Sequence, residues 1–196
     1  MSNKNPKKQP RPVYTEGKIG NERTIMDVES RLLTDFIIII DGEINDETST
    51  SIINQLICLN SINKSKEISI YIKSPGGSVT DGLAILDTME FISNPIHTIA
   101  LGMVASMASI LLSAGNRRSA TKRSRIMIHQ PSGGTEGNMT DIHEYSKRLS
   151  KTNDELISIL SVNCIRDKSK IKKDIERDYY MSASEALEYG IIDNII

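Results

Sequence analysis

The sequence predicts an α/β fold built from repeated β-α-β units, and three observations carry that expectation. Phe36-Ile37-Ile38-Ile39-Ile40, set between Asp35 and Asp41, is an unbroken apolar run of strand length, as expected of a strand covered on both faces in a parallel sheet. Ile68, Ile70 and Ile72 alternate with Ser69 and Tyr71, the two-residue period of a second strand. Between and after these runs, apolar residues recur every three or four positions, and the passages from strand to helix are marked by glycine or small residues. The chain has 196 residues, enough for one domain with a sizeable core, and no repeat or long linker argues for two.

Residues 1–20 carry Lys4, Lys7, Lys8, Arg11, Lys18 and half of the six prolines, with almost no apolar side chains, so they are expected to form a flexible arm ahead of a single domain over 21–196. Regular structure is expected from about Val28. Asp46 is a candidate cap for a helix whose apolar positions are Ile52, Ile53, Leu56, Ile57 and Leu59. Ser74-Pro75-Gly76-Gly77 follows the second strand directly. The next helix places Ile85, Met89 and Ile92 on one face and stops at Asn94-Pro95. A third strand, Ile96 to Leu101, leads through the small-residue turn Gly102-Met103-Val104-Ala105-Ser106 into a short apolar helix ended near Gly115.

Arg117-Arg118 and Lys122-Arg123-Ser124-Arg125 read as a solvated basic cluster, and Ile126-Met127-Ile128 as a short buried strand running into His129-Gln130-Pro131. After the connector Ser132 to Gly137, Ile142, Tyr145, Leu149, Thr152, Leu156 and Leu160 mark the longest helix, Asp141 to about Asn163. At 1.5 Å per residue it spans roughly 35 Å, long enough to protrude from a compact domain and meet a partner. Ser182 and Glu185 form a capping box, Gly190 lies just past the helix they start, and Ile191-Ile192 begin a closing strand.

Composition narrows the function classes. Hydrophobic residues make up 38% of the chain, and 24 basic against 25 acidic residues leave a net charge of −1, so there is no basic excess to recruit nucleic acid. No apolar run approaches the length of a membrane span, and the N-terminus lacks a secretory signal core, so no membrane partner and a cytoplasmic location are expected. Cys58 and Cys164 lie in apolar helical stretches without metal-ligand spacing and are expected as buried thiols.

The chemistry centres on Ser106. A serine hydroxyl becomes a nucleophile when a base takes its proton and fixed donors hold the oxyanion. His129 is the best base because it ends a buried strand as Ser106 begins a helix, and such ends gather on one side of a sheet. His97, inside a strand, and His143, on the polar side of the long helix, read as filler or surface histidines. Asp174 and Asp178 in the charged run 172–178 are both candidates for the carboxylate that orients the base, and composition does not choose between them. Gly76-Gly77 offers unshielded amides and Met107 an amide at a helix start, the donors an oxyanion needs.

Ser74-Pro75-Gly76-Gly77-Ser78-Val79-Thr80-Asp81-Gly82, Ala105-Ser106-Met107 and Arg125-Ile126-Met127-Ile128-His129-Gln130-Pro131 resemble the family of proteolytic subunits of the ATP-dependent Clp protease. The likeness runs from about Glu22 to Ile196 and includes Glu176-Arg177-Asp178 and Glu188-Tyr189-Gly190, in the family's order. It implies a crotonase-like spiral of β-α-β units with a protruding handle helix. It also implies a serine endopeptidase with Ser106 as nucleophile, His129 as base, Asp178 as orienting carboxylate, and the Gly77 and Met107 amides as oxyanion hole. Two stacked seven-membered rings of the chain itself, a hexameric AAA+ unfoldase that delivers unfolded polypeptide, and ATP consumed by that partner follow from the same resemblance. It implies no metal or cofactor in this chain. Met103, Val104 and Ala108 depart from the family's usual residues around the serine. Ser69 stands where an aromatic usually helps form the ATPase docking pocket, while Tyr71 and Phe91 match. The alternatives are a catalytically silent ring subunit, which an intact Ser106, His129 and Asp178 oppose, and an acyl-CoA enzyme on the same fold, which needs no Ser/His pair.

Overall fold

The computed structural model describes residues 14–19 and 22–196, with side chains from Ile25 onward. Residues 1–13 and Gly20 of the expected arm therefore lie outside the described residues. Regular structure starts earlier than expected: β1 (Tyr14–Ile19) and β2 (Glu22–Asp27) pair as an antiparallel hairpin. A short helix α1 (Val28–Thr34), capped by the Asp27 carboxylate on the Ser30 amide, turns the chain into the domain.

The body is mixed α/β. β3 (Ile37–Ile44), α2 (Asp46–Ile62), β4 (Ile68–Gly77), α3 (Val79–Phe91) and β5 (Ile96–Ala105) form two successive β-α-β units with parallel strands. The cap of α2 is Asn45 and not Asp46: its side chain accepts the Thr48 amide while Thr48 Oγ1 accepts the Asn45 amide. β3 is the edge strand of the path β3-β4-β5-β6-β9, and its burial shows a second departure. Ile38 and Ile40 are buried, but Ile39 is 48% exposed, so the five-residue apolar run is covered on one face only.

After β5 come α4 (Met107–Ser113), β6 (Arg117–Ala120), β7 (Arg125–Ile128), α5 (Met139–Asn163), α6 (Lys168–Asp174), β8 (Tyr179–Ser182), α7 (Ala183–Tyr189) and β9 (Asn194–Ile195). β5 forks. His97 to Ala100 pair with β6, and Met103 to Ala105 pair with β7, with Gly102 at φ 60° between the two registers. β8 runs antiparallel to β7, and β9 closes the far edge on β6. The closing strand thus starts at Asn194, with Ile191 and Ile192 buried just before it. One apolar cluster joins the sheet to α2, α3, α4 and the C-terminal half of α5.

Two further expectations are corrected by burial. Cys164 is buried, as expected, but Cys58 is exposed on the outer face of α2. Arg118 is no solvated cation: its guanidinium pairs with Asp193 and donates to the Asn163 and Gly190 carbonyls, tying the ends of α5 and α7 to β6. Its neighbours in the cluster, Lys122 and Arg123, are exposed.

Candidate active site

Strand register assembles the site. In the antiparallel β7–β8 ladder Ile128 faces Tyr179, so the next residues outward, His129 and Asp178, stand side by side. In the parallel β5–β7 pair Ala105 faces Met127, and the Ser106 amide donates to the Met127 carbonyl at 2.9 Å. Ser106 therefore leaves β5 next to the strand that delivers His129. The Ser109 hydroxyl, fully buried, lies 2.6 Å from the Ser106 carbonyl oxygen and 2.9 Å from that of Met127, locking the first turn of α4 onto β7.

Ser106 Oγ lies 2.8 Å from His129 Nε2, and His129 Nδ1 lies 3.3 Å from Asp178 Oδ1. The imidazole is three-quarters covered, whereas the Asp178 side chain is 55% exposed. Ser106 sits at φ 56°, ψ −127°, a left-handed conformation rare for a residue with a side chain and one that costs about 1–3 kcal/mol. The surrounding ladder holds it there, so that the hydroxyl projects from a sharp turn between strand and helix.

The two glycines that end β4 are required by space. A Cβ on Gly76 would stand 2.6 Å from Ser106 Cβ and 2.9 Å from the Met107 nitrogen, and one on Gly77 would stand 2.1 Å from the Ile44 carbonyl oxygen. Gly76 is thus pressed directly against the Ser106–Met107 peptide, and Gly77 against the backbone of β3 at Ile44. Beside them opens an apolar pocket with about 360 Å³ of empty space counting its mouth, bounded by Val79, Ile110, Pro131, Leu156, Leu160 and Ile175. Leu156 and Leu160 were visible in the sequence as a helical stripe, but nothing in their spacing signalled that they wall a site.

The remaining candidates separate. His97 is buried, with Nε2 2.8 Å from Ser119 Oγ, and His143 is exposed on α5. Asp174 does not reach His129; it bonds Lys170 and the Tyr189 hydroxyl. Three His, Cys, Asp or Glu side chains placed to hold a metal are not found together among the described residues. No helix among those residues is long and apolar enough to cross a membrane.

A strained serine, an imidazole within hydrogen-bond reach, a carboxylate behind it and Gly76 against the serine peptide form an arrangement suited to acyl transfer. The family model for Clp protease matches residues 20–196. The chain belongs to the Clp protease family. Membership indicates a serine peptidase of the proteolytic-subunit type, and the parallel sheet with seven helices among the described residues agrees with the family's fold.

Proposed function

We propose that the chain is a serine endopeptidase in which Ser106, His129 and Asp178 act as the catalytic triad. The observation that carries this reading is the contact of Ser106 Oγ with His129 Nε2 at 2.8 Å, with Asp178 on the other ring nitrogen. His129 takes the hydroxyl proton as Ser106 Oγ bonds to the scissile carbonyl carbon, and Asp178 holds Nδ1–H and stabilises the imidazolium. The Gly77 and Met107 amides receive the oxyanion. When the peptide C–N bond breaks, His129 returns the proton to the leaving amine. Water, deprotonated by the same imidazole, then hydrolyses the acyl-enzyme and frees Ser106. The apolar pocket beside Ser106 suits an apolar side chain next to the scissile bond.

The same reading extends to assembly. Two stacked rings of seven copies enclose the sites, a hexameric AAA+ unfoldase supplies unfolded polypeptide, and ATP is spent in that partner, so this chain's own step uses no metal or nucleotide. The length of α5 and the exposure of its N-terminal half, including Met139 and Ile142, support a role in joining copies. A fluorophosphonate probe tests the chemistry. Labelling of the wild type at Ser106, lost in Ser106→Ala together with peptide cleavage, is the expected result. An assembled wild-type protein that takes no label would turn the reading toward a silent subunit or an acyl-CoA enzyme.

A further inference from the structure

Asp178 is weakly held by its own side chain: it is more than half exposed, and its only side-chain partner among the described residues is His129. Its position therefore depends on the segment Ile175 to Tyr179 that carries it. One anchor is the Gln130 amide, which donates to the Ile175 carbonyl at 2.9 Å, tying this segment to the residue after His129. A second anchor comes from Tyr189, at the end of α7. Its hydroxyl donates to Asp174 Oδ2 at 3.0 Å, and its ring packs on Tyr179 with centroids 5.7 Å apart. Tyr189 thus grips the chain four residues before Asp178 and one residue after it.

Tyr189 is itself immobilised. It is 4% exposed, the Arg166 guanidinium stacks 4.2 Å from its ring centroid, and the same group donates to the Tyr189 and Glu188 carbonyls at 2.8 Å. The Asp174 side chain is 6% exposed and receives Lys170 Nζ at 2.6 Å on its other oxygen. Burial and the adjoining Asp174 carboxylate push the Tyr189 phenol well above its ordinary range, so it remains a proton donor at every working pH.

Building on the triad reading above, we propose that Tyr189 and Asp174 are positioning residues that set Asp178 against His129. Both act through Asp178 and touch neither substrate nor the reacting atoms. The same bond explains why two aspartates in one charged run have different work: Asp174 fastens the segment, and Asp178 is presented by it.

The test uses the purified full-length protein as wild type, Tyr189→Phe, Asp174→Ala, Asp174→Asn and Asp178→Ala, with Tyr189→Phe also placed in the Asp178→Ala background. Readouts are the second-order rate of fluorophosphonate labelling, kcat and KM on a short fluorogenic peptide, and the thermal midpoint. Tyr189→Phe, which keeps the ring, and Asp174→Ala each lower the labelling rate and kcat about tenfold with KM within about twofold, the scale expected of sub-ångström misplacement. Asp174→Asn keeps an acceptor for the hydroxyl and recovers to within about threefold of wild type. In the Asp178→Ala background Tyr189→Phe costs less than about twofold, because two residues acting through one contact are not additive. A wild-type labelling rate in Tyr189→Phe, a full tenfold cost that persists without Asp178, or Asn no better than Ala at 174 would each overturn the inference while leaving the triad standing. Wild-type labelling in Asp178→Ala would bring down both. Should Tyr189→Phe not fold, the Asp174 pair run through the same cycle decides.

Discussion

The molecule contains two serine–histidine pairs with the same separation and different fates. Ser106 and His129 are 2.8 Å apart, as are Ser119 and His97, and each imidazole has a carboxylate beyond it, Asp178 at 3.3 Å and Glu67 at 4.0 Å. Ser119 and His97 meet diagonally across the β5–β6 ladder, where Arg117 is opposite His97 and Ile99 opposite Ser119; both are buried, and Ser119 has no exposed surface. The Ser119 hydroxyl donates to Asn194 Oδ1, which leaves its oxygen to accept from His97 Nε2–H. The base role proposed for His129 needs the opposite tautomer, with Nε2 free to accept and Nδ1–H on the carboxylate. The comparison teaches that two equally close Ser–His contacts differ by what surrounds them: the strained turn, the press of Gly76 on the serine peptide and the open pocket belong to Ser106.

The largest break in the comparison comes from deleting each hydroxyl. Ser106→Ala lowers peptide cleavage by about 10³-fold or more, whereas Ser119→Ala leaves kcat/KM within about twofold. Ser119→Ala instead lowers stability by about 1–2 kcal/mol in urea unfolding, because His97 and Asn194 lose a buried partner. Next in size, Gly76→Ala drives a Cβ into Ser106 and costs about 10²-fold in kcat, while Gly134→Ala, at a glycine with open space around it, has no effect on cleavage.

The smallest effect sharpens the second pair. Burial, aided by Arg117 and opposed by Glu67 and Asp193, holds His97 below its ordinary value, so the fold favours the neutral ring. The unfolded chain then binds the proton first as pH falls below about 6.5, and this contribution to stability is complete above that pH and lost progressively beneath it. The urea midpoint of wild type therefore falls more steeply between pH 7.5 and 5 than that of His97→Gln. Equal slopes would remove His97 from the account.

Much of this was legible in the sequence where the cause is local. The isoleucine patterns mark β3 and β4, the Ser182–Glu185 box marks α7, and helical spacing marks α5. Ser106 and His129 stood out because each ends an apolar segment at a turn. What residue patterns missed depends on distant partners. Ile39 is uncovered because the face of β3 and β4 that carries Ile39, Tyr71 and Lys73 lies outside the apolar cluster, and Arg118 is drawn inward by carbonyls 45 and 72 residues away. Asp174 and Asp178 are indistinguishable in composition. Register with β7 puts one beside His129, and a tyrosine fifteen residues further on takes up the other.

The fork in β5 gives these strands a mechanical character. Beyond Gly102, the segment that bears Ser106 is hydrogen-bonded to β7 and no longer to β6, and β8 completes a three-stranded ribbon whose tips carry the hydroxyl, the imidazole and the carboxylate. The ribbon stays joined to the sheet where Val104 pairs with Ser74 of β4, while its own ladder sets the mutual spacing of the three groups. The groups of the proposed triad are therefore spaced by one local ladder, into which the carboxylate alone enters from the short loop that returns from α6.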